Sequence, residues 1–80
     1  MKISVHITLK NGVLDPQGKA ISNALGSLGF SGVNEVRQGK FIELDITEND
    51  PEKAKSLAED MCRKLLANTV IEDYRIDLDA

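Results

Sequence analysis

The chain has 80 residues, with 13 acidic against 10 basic side chains and a formal net charge of −3. This balance works against binding a phosphate backbone, which takes clustered Lys and Arg to displace counterions, so no nucleic-acid partner is expected. A single cysteine excludes an internal disulfide and a multi-cysteine metal site, and no apolar stretch approaches the roughly 20 residues that span a bilayer.

Ile3, Val5, Ile7 and Leu9 alternate with Lys2, Ser4, His6, Thr8 and Lys10, the period of a strand with one buried face. Asn11-Gly12 breaks this run. Asp15-Pro16 then opens a helix, because Asp accepts a bond from an orphan amide at the N-cap and Pro fits the first helical position, where no intrahelical donor is needed. Ala20, Ile21, Ala24, Leu25 and Leu28 form its apolar stripe, and Gly29 supplies the left-handed stop. Residues 33–37 and 40–47 flank Gln38-Gly39 and are expected to pair as a hairpin, with Ile42, Leu44 and Ile46 facing the core. Asp50-Pro51 opens a second helix over 51–67, whose stripe is Ala54, Leu57, Ala58, Met61, Cys62, Leu65 and Leu66. Glu59 with Arg63 and Asp60 with Lys64 are acid-before-base pairs one turn apart, each worth about 0.2–0.5 kcal/mol. Asn68 closes this helix, and residues 70–78 form a last strand with Tyr74, Ile76 and Leu78 on one face. The plan is one strand-helix-strand unit written twice.

The order β-α-β-β-α-β predicts an α+β, ferredoxin-like sandwich: a four-stranded antiparallel sheet in the order 4-1-3-2 with two helices on one face. Charge supports that order. The first strand offers Lys2, His6 and Lys10 to neighbours that carry Glu43 and Asp45 on one side and Asp73, Asp77 and Asp79 on the other, and opposed charges across strands contribute about 0.2–1 kcal/mol each. Residues 1–80 are read as a single domain. A domain of this size buries only roughly 60–65% of its unfolded surface, so assembly is expected to add stability.

A fold of this kind hosts many activities, so function has to be read from sites. Cys62 falls on the buried stripe of the second helix and reads as a packed thiol. His6 is the only histidine and lies between acidic strands, where it reads as an ion-paired surface residue. The carboxylates alternate along strands as solvent-facing groups do, and no catalytic pair is expected. The spacing of Gly26, Gly29 and Gly32 comes at the end of a helix and not at its beginning, which makes it a C-cap followed by a turn instead of a phosphate loop. The exposed sheet face offers Phe41 and is otherwise charged, unlike an RNA-reading sheet. No metal and no cofactor is expected. A difference between the helices remains: the outer face of the second is crowded with charge, whereas that of the first offers Ser22, Asn23, Gly26 and Ser27 with Lys19 alone charged. Charge depletion of this kind suits a protein contact, because unpaired buried charge is costly.

The run Gly12-Val-Leu-Asp-Pro-Gln-Gly-Lys-Ala20 resembles the PurS family, the small subunit of phosphoribosylformylglycinamidine synthase. The resemblance continues through Leu28-Gly-Phe30, Val36-Arg-Gln-Gly-Lys40, Met61-Cys-Arg-Lys-Leu-Leu-Ala-Asn68 and Val70-Ile-Glu-Asp-Tyr74. Thr69 departs from it, standing where the family usually has Pro. The resemblance implies a noncatalytic cytoplasmic subunit that bridges a synthetase (PurL-like) and a glutaminase (PurQ-like) subunit and supports ammonia transfer between them. It implies a homodimer and leaves open whether two dimers pair as a dimer of dimers. ATP, Mg and glutamine are then used by the complex, and none is bound by this chain. Only surface roles carry over: Asn11, Asp15 and Gln17 in the first loop, Ser22 on the first helix, Arg37 and Lys40 at the hairpin tip, and Asn68 and Tyr74 near the last turn. The competing reading is an ACT-type regulatory domain that binds a small ligand beside the Asn11-Gly12 loop. A stand-alone enzyme of the acylphosphatase type would need an Arg in that loop, which has none.

Overall fold

The computed structural model describes residues 1–79. In chain order these are strand β1 (Lys2–Leu9), helix α1 (Pro16–Ser27), strand β2 (Gly39–Asp45), helix α2 (Pro51–Met61), a π turn (Cys62–Leu66) and strand β3 (Glu72–Asp79). The strands form one antiparallel sheet in the order β2-β1-β3. That is the expected order without its second strand. Lys2 stands opposite Asp45 on one side and Asp79 on the other, so the basic strand does lie between acidic ones. His6 reaches Asp77 at 3.5 Å and its ring sits 5.0 Å from that of Phe41.

Alternation on β1 sets the core. Ile3, Val5 and Ile7 are fully buried beneath Ala54, Ala58 and Cys62 of α2 and the π turn, and Ala67 closes the cluster. Small residues at spacings of four let the helix approach the sheet closely. Beyond Cys62 the next buried residue is Ala67, five positions on instead of four, and the Ala67 amide bonds the Cys62 carbonyl at 2.9 Å. The expected continuous α-helix over 51–67 is thus corrected: its last turn is widened. The widening aims Ala67 inward and leaves Leu65 83% exposed. Of the two charge pairs expected on this helix, Glu59–Arg63 is present at 3.9 Å, while Asp60 engages Arg63.

The first half departs further from expectation. Residues 33–37 form no strand and the hairpin is absent; the sheet has three strands. Val33 and Val36 are an odd number of positions apart, so an extended 33–37 would present them to opposite faces and could turn only one of them to a core. Helix α1 forms as the sequence directs. Asp15 caps it by accepting from the Gly18 amide at 2.9 Å. At its end Gly29, at φ +94°, lets the Phe30 amide bond Leu25 and the Gly29 amide bond Gly26, a paired closure that satisfies the last carbonyls. Its apolar stripe, however, does not join the core cluster, and Leu28 is 73% exposed. Both helices on one sheet face is therefore not the arrangement within this chain.

Candidate functional site

The first loop is tied to residues 36–38 by one carboxylate. Gly12, at φ +87°, turns the chain after β1, and the Val13 amide bonds the Lys10 carbonyl at 3.1 Å. Asp15 then uses both oxygens: Oδ1 accepts from Gly18 at 2.9 Å and Oδ2 accepts from the Gln38 amide at 2.8 Å. The bond from Gln38, then that from Gly18, holds the Asp15 carboxyl below its ordinary value against an opposing desolvation, with the Arg37 charge adding a lesser pull in the same direction as the bonds. Gly18 is buried against the Val36 carbonyl, which a Cβ would overlap. Arg37 Nη1 donates to Asn11 Oδ1 at 2.7 Å.

These contacts enclose a polar cleft of about 340 Å³ lined by Asn11, Asp15, Ser22 and Arg37, with Lys10 and Lys19 adding positive charge and Glu35 negative. On the other side of Asp15 a smaller hollow of about 210 Å³ holds Gln17 and Lys40. Lys40 lies 3.8 Å from Glu72, whose other carboxylate oxygen accepts from the Asn68 amide at 2.7 Å. Register explains the convergence: Thr8 pairs with Gly39 and Leu9 with Glu72, so the end of β1 meets the beginnings of β2 and β3. Asn11, Asp15, Gln17, Ser22, Arg37, Lys40 and Asn68 are thus gathered at one end of the sheet. Tyr74 stands apart, half-buried opposite Ile7 and packed against the core.

Two members escaped sequence reasoning. Glu72 joins Lys40 to Asn68, and its position four residues after a helix-closing Asn was the available signal. Gly18 makes the close approach, and a glycine inside the first helical turn, which costs about 1 kcal/mol relative to Ala, was the hint. Among the described residues no group of three or more His, Cys, Asp or Glu side chains is placed to hold a metal ion. Burial raises the Cys62 thiol pKa, which keeps it in the unreactive protonated form. Among the described residues no helix is long and apolar enough to cross a membrane.

The sequence model of the PurS family, described as phosphoribosylformylglycinamidine (FGAM) synthase, matches residues 2–80. The chain belongs to the PurS family. It is 49% identical over 78 residues to phosphoribosylformylglycinamidine synthase subunit PurS of Bacillus subtilis, covering 98% of this chain and 92% of that protein. The crystal structure of Methanocaldococcus jannaschii PurS, a subunit of formylglycinamide ribonucleotide amidotransferase in purine biosynthesis, superposes with a TM-score of 0.87 at 50% identity, over 98% of this chain and 94% of that one. A chain in the structure of PurLQS from Thermotoga maritima gives a TM-score of 0.86 at 31% identity, over 95% and 93%. Membership makes this chain a subunit of FGAM synthase, acting in purine biosynthesis.

Proposed function

We propose that the chain is the noncatalytic, cytoplasmic subunit that holds the synthetase and glutaminase subunits of FGAM synthase together, and that it does so as a homodimer. The observation that carries this reading is the convergence of Asn11, Asp15, Gln17, Ser22, Arg37, Lys40 and Asn68 at one end of the sheet. Asp15 spends its charge on the backbone amides of Gly18 and Gln38, which leaves the basic groups Lys10, Lys19 and Arg37 at the cleft wall to meet an acidic or carbonyl-rich partner surface. A rigid polar loop presents such groups at low entropic cost. Tyr74 takes part only through the core behind that surface.

Ammonia released by a glutaminase is lost if it is protonated in water or diffuses away. The two active sites therefore have to be fixed against each other and sealed from solvent, and a subunit that supplies only binding surfaces can do this. ATP, Mg and glutamine are used by the partner subunits on this reading, and this chain binds none of them. The four-stranded ferredoxin-like sandwich is then a property of the assembled protein, since the isolated chain already carries the expected strand order with one strand wanting.

The test is light scattering on a sizing column of the chain alone and mixed with the synthetase and glutaminase subunits, with glutamine and Mg-ADP present. The expected result is a dimer alone, a ternary complex in the mixture, and glutamine-dependent synthesis that requires the chain. Charge reversal at Arg37 or Lys40 weakens the complex. A chain that neither joins the mixture nor changes its glutamine-dependent rate overturns the reading.

A further inference from the structure

The polar cleft at the end of the sheet carries charge that its own chain does not neutralise. Lys10, Lys19 and Arg37 face Asp15 and Glu35 around it, a cationic excess on a chain whose formal net charge is −3. Asp15 is already engaged, since its two oxygens accept from the amides of Gly18 and Gln38. Among the described residues Lys10, Lys19, Arg37 and Glu35 form no ion pair, whereas Arg63 and Arg75, the other arginines, each engage a carboxylate. Arg37 is nevertheless held in place. Its Nη1 donates to Asn11 Oδ1 at 2.7 Å, which orients the guanidinium and leaves its other N–H groups to a ligand. A side chain ordered in advance loses less entropy on binding.

The wall selects the kind of ligand. A volume of about 340 Å³ falls at the small end of ligand pockets. No aromatic ring lines the cleft, and Val13 and Val36 are its apolar side chains, so a nucleobase finds no surface to stack on. Three cations call for more than one negative group, and a carboxylate matches the fork of Arg37. Glu35 on the same wall calls for a positive group, because a phosphate or a plain dicarboxylate leaves it facing like charge. Two carboxylates and one ammonium on a short chain answer all four side chains. Ser22, Asn23 and Asn34 supply further donors and acceptors around them.

We propose that the cleft binds a free acidic α-amino acid, of the glutamate and aspartate class, with its carboxylates on Arg37, Lys10 and Lys19 and its ammonium on Glu35. The inference goes beyond the bridging role and does not depend on it. Hydrolysis of glutamine to ammonia leaves glutamate, so the class includes the product of a glutaminase.

The test is calorimetric titration of the full chain at fixed ionic strength, paired with its melting temperature, using L-glutamate, L-aspartate, L-glutamine, glutarate and inorganic phosphate as probes. Glutamate or aspartate is expected to bind saturably and raise the melting temperature, the tighter of the two naming the ligand. Glutamine, which lacks one carboxylate, and glutarate, which lacks the ammonium, should bind about tenfold more weakly or worse. Arg37→Gln should weaken the preferred amino acid by a similar factor. Glu35→Gln is the discriminating variant: it should weaken the amino acid and leave glutarate unaffected, a change that general loosening of the loop does not produce. Neither heat nor a rise in melting temperature with either amino acid at about 20 mM, well above a millimolar dissociation constant, overturns the proposal. Phosphate or glutarate binding as tightly as the amino acid overturns it too, since the cleft is then a general anion site, and so does a Glu35→Gln variant that weakens every probe alike. No partner subunit is present in these titrations, so their failure leaves the bridging role standing, and failure of the bridging role leaves their result standing.

Discussion

The two Asp-Pro helices begin alike and end in different environments. Asp15 and Asp50 each cap the first turn through a backbone amide, at 2.9 and 3.1 Å, and each is followed by Pro at the first helical position. Yet α2 buries Ala54 and Ala58 completely, whereas α1 buries Gly18 alone. Local signals of capping and period therefore decide that a helix forms, and they are silent on what it packs against. The packing of α2 is set within the chain: a short connection joins it to β3, and its alanines fit the β1 side chains. The stripe of α1 is as regular, but it does not join the chain's own core.

The largest effect expected from this contrast comes from placing the same charge on both helices. Ala58→Asp puts a carboxylate with no partner among Ile3, Val5 and Ile7 and should cost more than about 4 kcal/mol, enough to unfold a domain of this size. Ala24→Asp, on the exposed stripe of α1, should cost less than about 1 kcal/mol, chiefly through helix propensity. Urea denaturation at a concentration where light scattering shows monomer makes the comparison. Equal costs at the two positions would mean that α1 is packed within its own chain.

The caps differ next. Asp50 serves its own helix, and Asp50→Ala should cost about 1 kcal/mol. Asp15 also holds the Gln38 amide across the loop, so Asp15→Ala should lower the melting temperature further and expose that amide to hydrogen exchange, a change with no counterpart around Asp50. The same contact has a pH signature. The Asp15 carboxyl is held below its ordinary value near 3.8, so its stabilising contribution is complete above that value and is lost as pH falls through the lower folded-state value. Gln38 exchange protection should disappear over that acidic range in the native chain and be absent at every pH in the Asp15→Ala variant.

How much was legible follows the same division. β1 and α2 were readable because the residues that set their period, Ile3, Val5, Ile7, Ala54 and Ala58, are the ones the chain itself buries, and β2 and β3 because Ile42, Leu44, Tyr74, Ile76 and Leu78 pack against that cluster. Residues 33–37 were read as a strand from their place between turns, though Val33 and Val36 cannot share a face, and the structure leaves them outside the sheet. The widened turn was hidden because Leu65 continues an apolar pattern that the fold does not follow at that position. Most of the residues proposed for partner contact proved to be neighbours, because loop residues flanking the ends of paired strands are brought together by register. Glu72 was overlooked because a carboxylate at the beginning of a strand reads as solvent-facing, although alternation places it on the face of Tyr74, Ile76 and Leu78.

The smallest expected effect separates backbone from packing. Gly18 and Gly26 both lie within α1, and both leave the helix without a side chain where most residues would stabilise it. A Cβ at Gly26 meets no atom within 4 Å, so Gly26→Ala should stabilise the chain by about 0.4–1 kcal/mol by restricting the unfolded state. A Cβ at Gly18 overlaps the Val36 carbonyl and crowds the Asp15 side chain, so Gly18→Ala should destabilise despite the same gain in helix propensity. Urea midpoints of the two variants have opposite signs on this account. If both rose, residues 36–38 would be free to move away from the helix, and the loop would not be the rigid polar surface that the contacts of Asp15 describe.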